Sequence, residues 1–224
     1  MSGILFQKIL FGPIHSRRLG RSLGINLLPE DLKLCPFNCI YCECGWAKID
    51  KILYEKLLPK ETIIAVLQQR FEELYQQGLE IDSITYSGNG EPTLHPDFSL
   101  INDELIKLRN KYFPNTVISC LSNSTQLFRQ DVFEALQKID NRILKLDAGR
   151  QVTFDLINKP FSHISIDDVT NWLSMFNGRL IVQTLFLRGE SDGQVIDNTT
   201  EEEVAAWLER IKQIKPQAVM MYPI

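Results

Sequence analysis

The sequence predicts an α/β fold built on a parallel sheet. Apolar, strand-like runs alternate strictly with amphipathic helical stretches. Each run plus its helix occupies roughly 30 residues, the length of a βα unit. Polar turns follow the runs, at the strand ends where parallel α/β folds gather ligands. Such alternation implies parallel strands joined by helical crossovers. Six runs are too few for a closed eight-stranded barrel. Periodicity alone leaves an open doubly wound sheet on equal terms with a barrel left open.

Leu23–Leu28 reads as the first strand and delivers the chain to a cysteine-rich loop. From Lys60 to Gln77, Ile63, Leu67, Phe71 and Leu74 keep helical spacing, and Gly78 stops that helix. Ile81–Tyr86 is the second strand, ending in Ser87-Gly88-Asn89-Gly90-Glu91-Pro92. Phe98, Ile101, Leu105 and Leu108 mark one face of the next helix. Val117–Leu121 is the third strand, and Val132, Leu136 and Ile139 define a short third helix. Ile143–Leu146 is the fourth strand, running into Asp147-Ala148-Gly149. Ser165 can cap a helix that turns Ile166, Val169, Leu173 and Phe176 inward. Leu180–Leu187 is the fifth strand, and Thr200-x-x-Glu203 reads as a capping box before Val204, Trp207, Leu208 and Ile211. Ala218–Tyr222 is the sixth strand, with no helix of its own after it. A longer natural chain, or a partner, is expected to cover that edge.

With 224 residues, 44% of them hydrophobic, the chain can bury one ordinary core. We expect a single domain over residues 1–224, with residues 1–21 as an N-terminal extension. A net charge of −4 gives no overall footprint for nucleic acid. No apolar run approaches the ~20 residues of a membrane span. Met1-Ser2-Gly3 lacks the basic-then-apolar opening of a signal peptide. Five cysteines without an export signal point to the reducing cytoplasm.

The chemistry concentrates in Cys35-Pro36-Phe37-Asn38-Cys39-Ile40-Tyr41-Cys42-Glu43-Cys44-Gly45. Pro36, Asn38 and Gly45 make this a folded-back loop, able to turn several thiolates toward one point. Three thiolates on a metal or cluster leave a coordination position open. A zinc knuckle would need a second Cys or His pair, and His15 and Cys120 stand isolated. The spacing is not the C-x2-C-x2-C of bacterial ferredoxins. An odd cysteine count without a secretion signal argues against a disulfide framework.

C-x3-C-x-Φ-C with Tyr41 at Φ resembles the cluster motif of radical S-adenosylmethionine (SAM) enzymes. Gly12-Pro13-Ile14-His15-Ser16-Arg17-Arg18-Leu19-Gly20-Arg21-Ser22-Leu23-Gly24-Ile25 narrows the likeness to an Fe–S oxidoreductase group similar to the wybutosine-forming radical SAM enzymes. The resemblance runs from about Phe11 to the end of the chain. It implies a partial TIM-like (β/α)6 barrel, open on one side, with its final helix absent here. It also implies that Cys35, Cys39 and Cys42 hold a [4Fe–4S] cluster whose free iron is chelated by SAM. Reductive cleavage would then give a 5′-deoxyadenosyl radical that abstracts hydrogen from a substrate.

The same resemblance distributes the remaining contacts. Tyr41 would pack near adenine, or serve as plain aromatic packing, and Glu43 would supply backbone contacts. Gly88-Asn89-Gly90-Glu91 is similar to the Gly-Gly-Glu-Pro motif that binds the SAM amino group. Its two glycines allow positive φ and close backbone approach. Ser122 and Asn123 suit ribose or the SAM carboxylate, or a helix cap. Lys145 and Asp147 share one strand face and suit the SAM carboxylate and a ribose or substrate group, or form a structural ion pair. Gln183, mid-strand among apolar residues, needs a partner, with SAM as one candidate. Cys44 is expected to be spare.

Arg17, Arg18 and Arg21 form a basic cluster that reads as a solvated face, with phosphate contact as the alternative. His15, His95 and His163 make no recognisable set; Trp46, Trp172 and Trp207 should pack, and Cys120 should sit in the core. The expected partners are a low-potential flavodoxin- or ferredoxin-type donor and a substrate left open, with tRNA as one option. Two rival readings are an iron–sulfur electron carrier using all four close cysteines and a zinc-bearing nucleic-acid-binding module.

Overall fold

A computed structural model describes residues 3–47 and 51–223. Nine strands and six α-helices are described: β1 (Leu10–Ser16), β2 (Gly20–Ile25), α1 (Lys60–Gln76), β3 (Ser83–Tyr86), α2 (Phe98–Tyr112), β4 (Val117–Ser122), α3 (Gln130–Gln137), β5 (Asn141–Lys145), α4 (Gln151–Asn158), α5 (Ile166–Ser174), β6 (Ile181–Phe186), β7 (Arg188–Ser191), β8 (Gln194–Asp197), α6 (Glu201–Ile214) and β9 (Ala218–Pro223). Seven strands form one sheet in the order β1-β2-β3-β4-β5-β6-β9. From β2 to β9 all neighbours are parallel, and β1 runs antiparallel on β2. These six parallel strands are the six expected, wound as an open partial barrel.

Alternation along the strands sorts the side chains. Ile84 and Tyr86 face the helices, and Tyr86 packs 5.2 Å from Phe98 of α2. Ser83 and Thr85 face the other way. There Ser22, Thr85, Ser83 and Ser119 join hydroxyls at 2.8–3.1 Å across β2, β3 and β4. The apolar core therefore lies between sheet and helices, where Ile63, Leu67, Phe71, Leu105, Leu136 and Leu173 are fully buried. Gly78 ends α1 at φ +66°, with the Leu79 N–H returning to the Leu74 carbonyl at 3.1 Å. Cys120 is buried in the core as expected.

Several expectations need correction. Residues 1–21 are not only an extension, since Leu10–Ser16 supplies the edge strand β1. The first parallel strand is Gly20–Ile25, not Leu23–Leu28, because Asn26 turns its side chain onto Leu28 and ends the ladder. Thr200 caps α6 at the Glu203 N–H, 3.3 Å, but Glu203 does not complete a box. Its buried carboxylate accepts from the Gly149 N–H (2.6 Å), the Arg150 N–H (3.1 Å), Arg150 Nε (2.7 Å) and Thr153 Oγ1 (2.9 Å). It thereby caps α4, a helix the sequence pattern did not predict. Leu208 lies 43% exposed, and α6 buries Glu203, Trp207 and Ile214 instead. Trp46 is 54% exposed rather than packed, with Lys159 Nζ 5.2 Å from its ring centre. No described helix is long and apolar enough to cross a membrane.

Candidate functional site

One cleft at the carboxyl ends of the parallel strands gathers most of the expected residues. It encloses about 760 Å3 of space, including its open mouth. The cysteine loop, which follows β2, forms one wall. Two successive turns shape that loop: the Cys42 N–H donates to the Cys39 carbonyl at 3.0 Å, and the Gly45 N–H to the Cys42 carbonyl at 3.1 Å. Asn38 clips its base, exchanging hydrogen bonds with both Ala47 main-chain groups at 2.6 and 3.2 Å. The loop is also pinned to the end of α4. The Asn38, Ile40 and Phe161 N–H groups donate to the carbonyls of Lys159, Ile157 and Pro36 at 3.0–3.1 Å.

The glycine turn after β3 is sewn to this loop through the backbone. The Leu34 N–H donates to the Asn89 carbonyl at 2.9 Å and the Glu91 N–H to the Leu34 carbonyl at 3.0 Å. Gly90 sits at φ +134°, and a Cβ there would meet the Leu34 oxygen at 1.9 Å. Only glycine allows that approach.

Cys35, Cys39, Cys42 and Cys44 all line the cleft, with Gly88, Gly90, Glu91, Ser122, Asn123, Tyr41, Lys145 and Gln183. Among the described residues no three His, Cys, Asp or Glu side chains converge on one ion. The thiols stand along a shared wall rather than at the single point read from the loop.

The electrostatic setting of the thiols sets burial against nearby cations. Burial pushes the Cys35 thiol up to about 12 and also raises Cys39. Cys42 is held down to about 5, chiefly by a hydrogen bond from Cys44, whose own thiol is raised. Buried Lys33 lines the cleft and donates to the Gly45 carbonyl at 3.0 Å. Burial pulls the Lys145 ammonium down, but Asp147 and the cysteines outweigh it and raise it overall. Lys145 donates to the Tyr41 hydroxyl, which donates in turn to Asp147.

Of the expected contacts, Asn89, Glu43 and Asp147 do not line the cleft, and Glu91 lines it with its carboxylate already bonded within the protein. The side chain of Asn89 leaves the cleft: it bonds both main-chain groups of Phe6, at 2.8 and 2.9 Å, and the Pro29 carbonyl at 2.8 Å. Glu43 is exposed outside the cleft, and its carbonyl accepts from the Ile4 N–H at 2.8 Å. Glu91 is 1% exposed and already accepts from Thr93 N (3.2 Å), Thr93 Oγ1, Ser122 Oγ (2.9 Å) and Asn123 N (2.6 Å). Burial raises its pKa, and its carboxylate ties the β3 and β4 turns together. Asp147, also 1% exposed, accepts from the Leu185 N–H at 2.9 Å and from Asn158 Nδ2 at 3.0 Å. The structural reading of Lys145 with Asp147, 3.7 Å apart, therefore holds for the carboxylate, while the lysine also faces the cleft.

Sequence reasoning missed Lys33, Asn26 and Asn158. Lys33 stands two residues before Cys35 and carried no motif of its own. Asn26 Oδ1 accepts from the Asn89 N–H at 3.1 Å and so fixes the glycine turn. Asn158 belongs to the helix that was missed. The basic cluster divides: Arg21 pairs with Glu80 at 2.7 Å, while Arg18 reaches β9. His95 is buried, bonded to the Leu58 carbonyl and the Asp97 N–H.

Comparison with known proteins follows the same lines. The profile described as the radical SAM superfamily matches residues 32–199. A UPF0026 protein from Helicobacter pylori is 34% identical over 188 residues, 82% of this chain and 58% of the relative. The chain thus spans less than two thirds of that relative's length. Among solved structures, coproporphyrinogen III oxidase from Escherichia coli, described as a radical SAM enzyme, aligns at a TM-score of 0.54. The identity is 15%, covering 85% of this chain and 41% of that one. A structure of native anSMEcpe with bound AdoMet aligns at 0.56 and 15% identity, covering 88% and 51%. At such identities the likeness concerns the fold.

Proposed function

The chain belongs to the radical SAM superfamily, and from that premise we propose that Cys35, Cys39 and Cys42 hold a [4Fe–4S] cluster used to cleave SAM reductively. One observation carries this reading. The three thiols share a cleft with the glycine turn after β3 and the polar ends of β4, β5 and β6. When bound, the reduced cluster supplies one electron to the sulfonium of SAM, giving methionine and a 5′-deoxyadenosyl radical that abstracts hydrogen from a substrate.

The chain's own residues prepare that chemistry. Lys33 and Lys145 place cations beside the thiolates, which lowers the cost of burying negative charge. Gly88 and Gly90, both at positive φ, leave room for Asn26 and Leu34 to pack against the turn and so hold its backbone at the edge of the cleft. Glu91 acts through the Asn123 main chain and Ser122, holding the polar end of β4 in place. Gln183 pairs in register with Lys145 on the neighbouring strand, so both can address the carboxylate of SAM or the substrate. Tyr41, clamped between Lys145 and Asp147, forms the side of the cleft. A flavodoxin- or ferredoxin-type protein is the proposed electron donor, the cytoplasm the proposed compartment, and an unactivated C–H bond the proposed target.

The test is anaerobic reconstitution with iron and sulfide, followed by dithionite and SAM, with chromatography for 5′-deoxyadenosine. Production by the wild type and its loss in Cys35→Ala are expected. A second reading, an electron carrier with Cys44 as fourth ligand, draws on the position of Cys44 in the same cleft beside Cys42. It requires a cluster whose spectrum does not change when SAM is added.

A further inference from the structure

Resting on the cluster reading above, we propose that Asn123 and Asn158 are positioning residues that set the cluster's reduction potential, each donating to one ligand sulfur. Asn123 Nδ2 lies 3.4 Å from Cys35 Sγ, and Asn158 Nδ2 lies 3.4 Å from Cys39 Sγ. The two donors come from different places. Asn123 follows β4 and Asn158 is the last residue of α4. Both amides are buried, at 8% and 1% exposure, so water does not compete for their N–H groups.

Neither amide is free to turn its oxygen toward sulfur. Asn123 Oδ1 accepts from the Thr125 N–H at 3.0 Å and from Thr125 Oγ1 at 2.7 Å. Those two donors leave the NH2 group pointing at Cys35. Asn158 Nδ2 faces Asp147 Oδ2 at 3.0 Å as well as Cys39. Reversing it would set oxygen against carboxylate and thiolate together. Its Oδ1 is buried with no hydrogen-bond partner among the described residues. Such an orphan is costly, and an amide kept in place despite it has a role beyond packing.

An N–H···S bond withdraws electron density from a ligand thiolate. It favours the reduced cluster, which carries one more negative charge, and therefore raises the potential. The effect is strongest where the surroundings are dry. Among the described residues no asparagine donates to Cys42, and its neighbour Cys44 donates to the Gly88 carbonyl at 3.4 Å. The two asparagines thus act on two corners of the site independently.

The experiment is a mediator titration of the anaerobically reconstituted full chain, followed by electron paramagnetic resonance of the reduced cluster. Asn158→Ala and Asn123→Ala should each shift the midpoint to more negative potential while iron content stays at the wild-type level. The double variant should shift it further. Thr125→Val removes one donor that orients Asn123 and should give a smaller shift in the same direction. Asn141→Ala, at a half-buried amide on the first residue of β5, the end of the strand away from the cleft, should leave the midpoint unchanged. Midpoints in Asn158→Ala, Asn123→Ala and Thr125→Val equal to that of the wild type, with clusters intact, overturn the proposal. A wild-type chain that takes up no cluster at all sinks the cluster reading itself, and this inference with it.

Discussion

Arg18 lies over the ring of Tyr222, with its guanidinium carbon 3.7 Å from the ring centre, and Nη2 donates to the Met221 carbonyl at 3.1 Å. Arg18 belongs to the turn between β1 and β2, and Tyr222 to β9 at the far edge of the sheet. The sheet is therefore curled until its two margins touch through side chains, without any β1–β9 ladder.

Replacing Arg18 with Ala should open that seam. The contact is exposed, so the expected loss is about 0.5–1 kcal/mol. Equilibrium urea unfolding of the variant against wild type measures it. Arg17→Ala, one residue away, should change nothing measurable.

Gly90→Ala should be far more damaging. The backbone conformation alone costs roughly 1–3 kcal/mol for a residue with a side chain. The new methyl would also strike the Leu34 oxygen. Thermal unfolding and iron uptake should both fall, and Gly193→Ala, in an open turn at φ +73°, should spare iron uptake.

Glu203 supplies a pH dependence. Burial raises its pKa, but the donors from Arg150, Gly149 and Thr153 outweigh burial and hold it below the ordinary value of 4.5. A carboxyl with a lowered folded pKa contributes stability above the unfolded value and loses it as pH falls through the folded one. Unfolding followed from neutral pH down through 4.5 should show this acid loss in wild type and a flatter profile in Glu203→Gln. At neutral pH the variant should already be weaker by about 2 kcal/mol, the worth of a hydrogen bond to a charged group.

Cys44→Ala separates the two cluster readings. With Cys35, Cys39 and Cys42 as the full ligand set, the variant should keep its iron and its response to SAM. Loss of the cluster in Cys44→Ala, with the protein still folded, would favour the electron-carrier reading.

Much of this arrangement was legible in the sequence because its signals are local. The Cys35–Cys42 spacing, the Gly88 and Gly90 turn and the polar ends of the strands all announce themselves within a few residues. What was missed depends on distant partners. Helix α4 has no side-chain cap of its own, since its cap arrives from Glu203 on α6. Strand β1 carries Gly12, Pro13 and mostly exposed side chains, which hide its pairing. The β7–β8 hairpin did leave a trace: Asp192 and Gly193 take φ +52° and +73°, the conformation that an Asp-Gly pair favours at a hairpin turn. The Asn89 side chain and the Glu91 carboxylate were misread for a related reason, since both are taken up by neighbouring segments. A motif names which residues matter, but not which way each side chain turns when neighbouring segments also need donors and acceptors.

The Leu34–Gly90 stitch is made of main-chain atoms alone. Leu34 can therefore change identity without loosening it, provided positions 88 and 90 stay bare and Asn26 keeps its hold on the turn. Anyone transplanting the cysteine loop into another scaffold would have to carry the hinge of the neighbouring strand along, because the graft's alignment is written in backbone rather than in its own side chains.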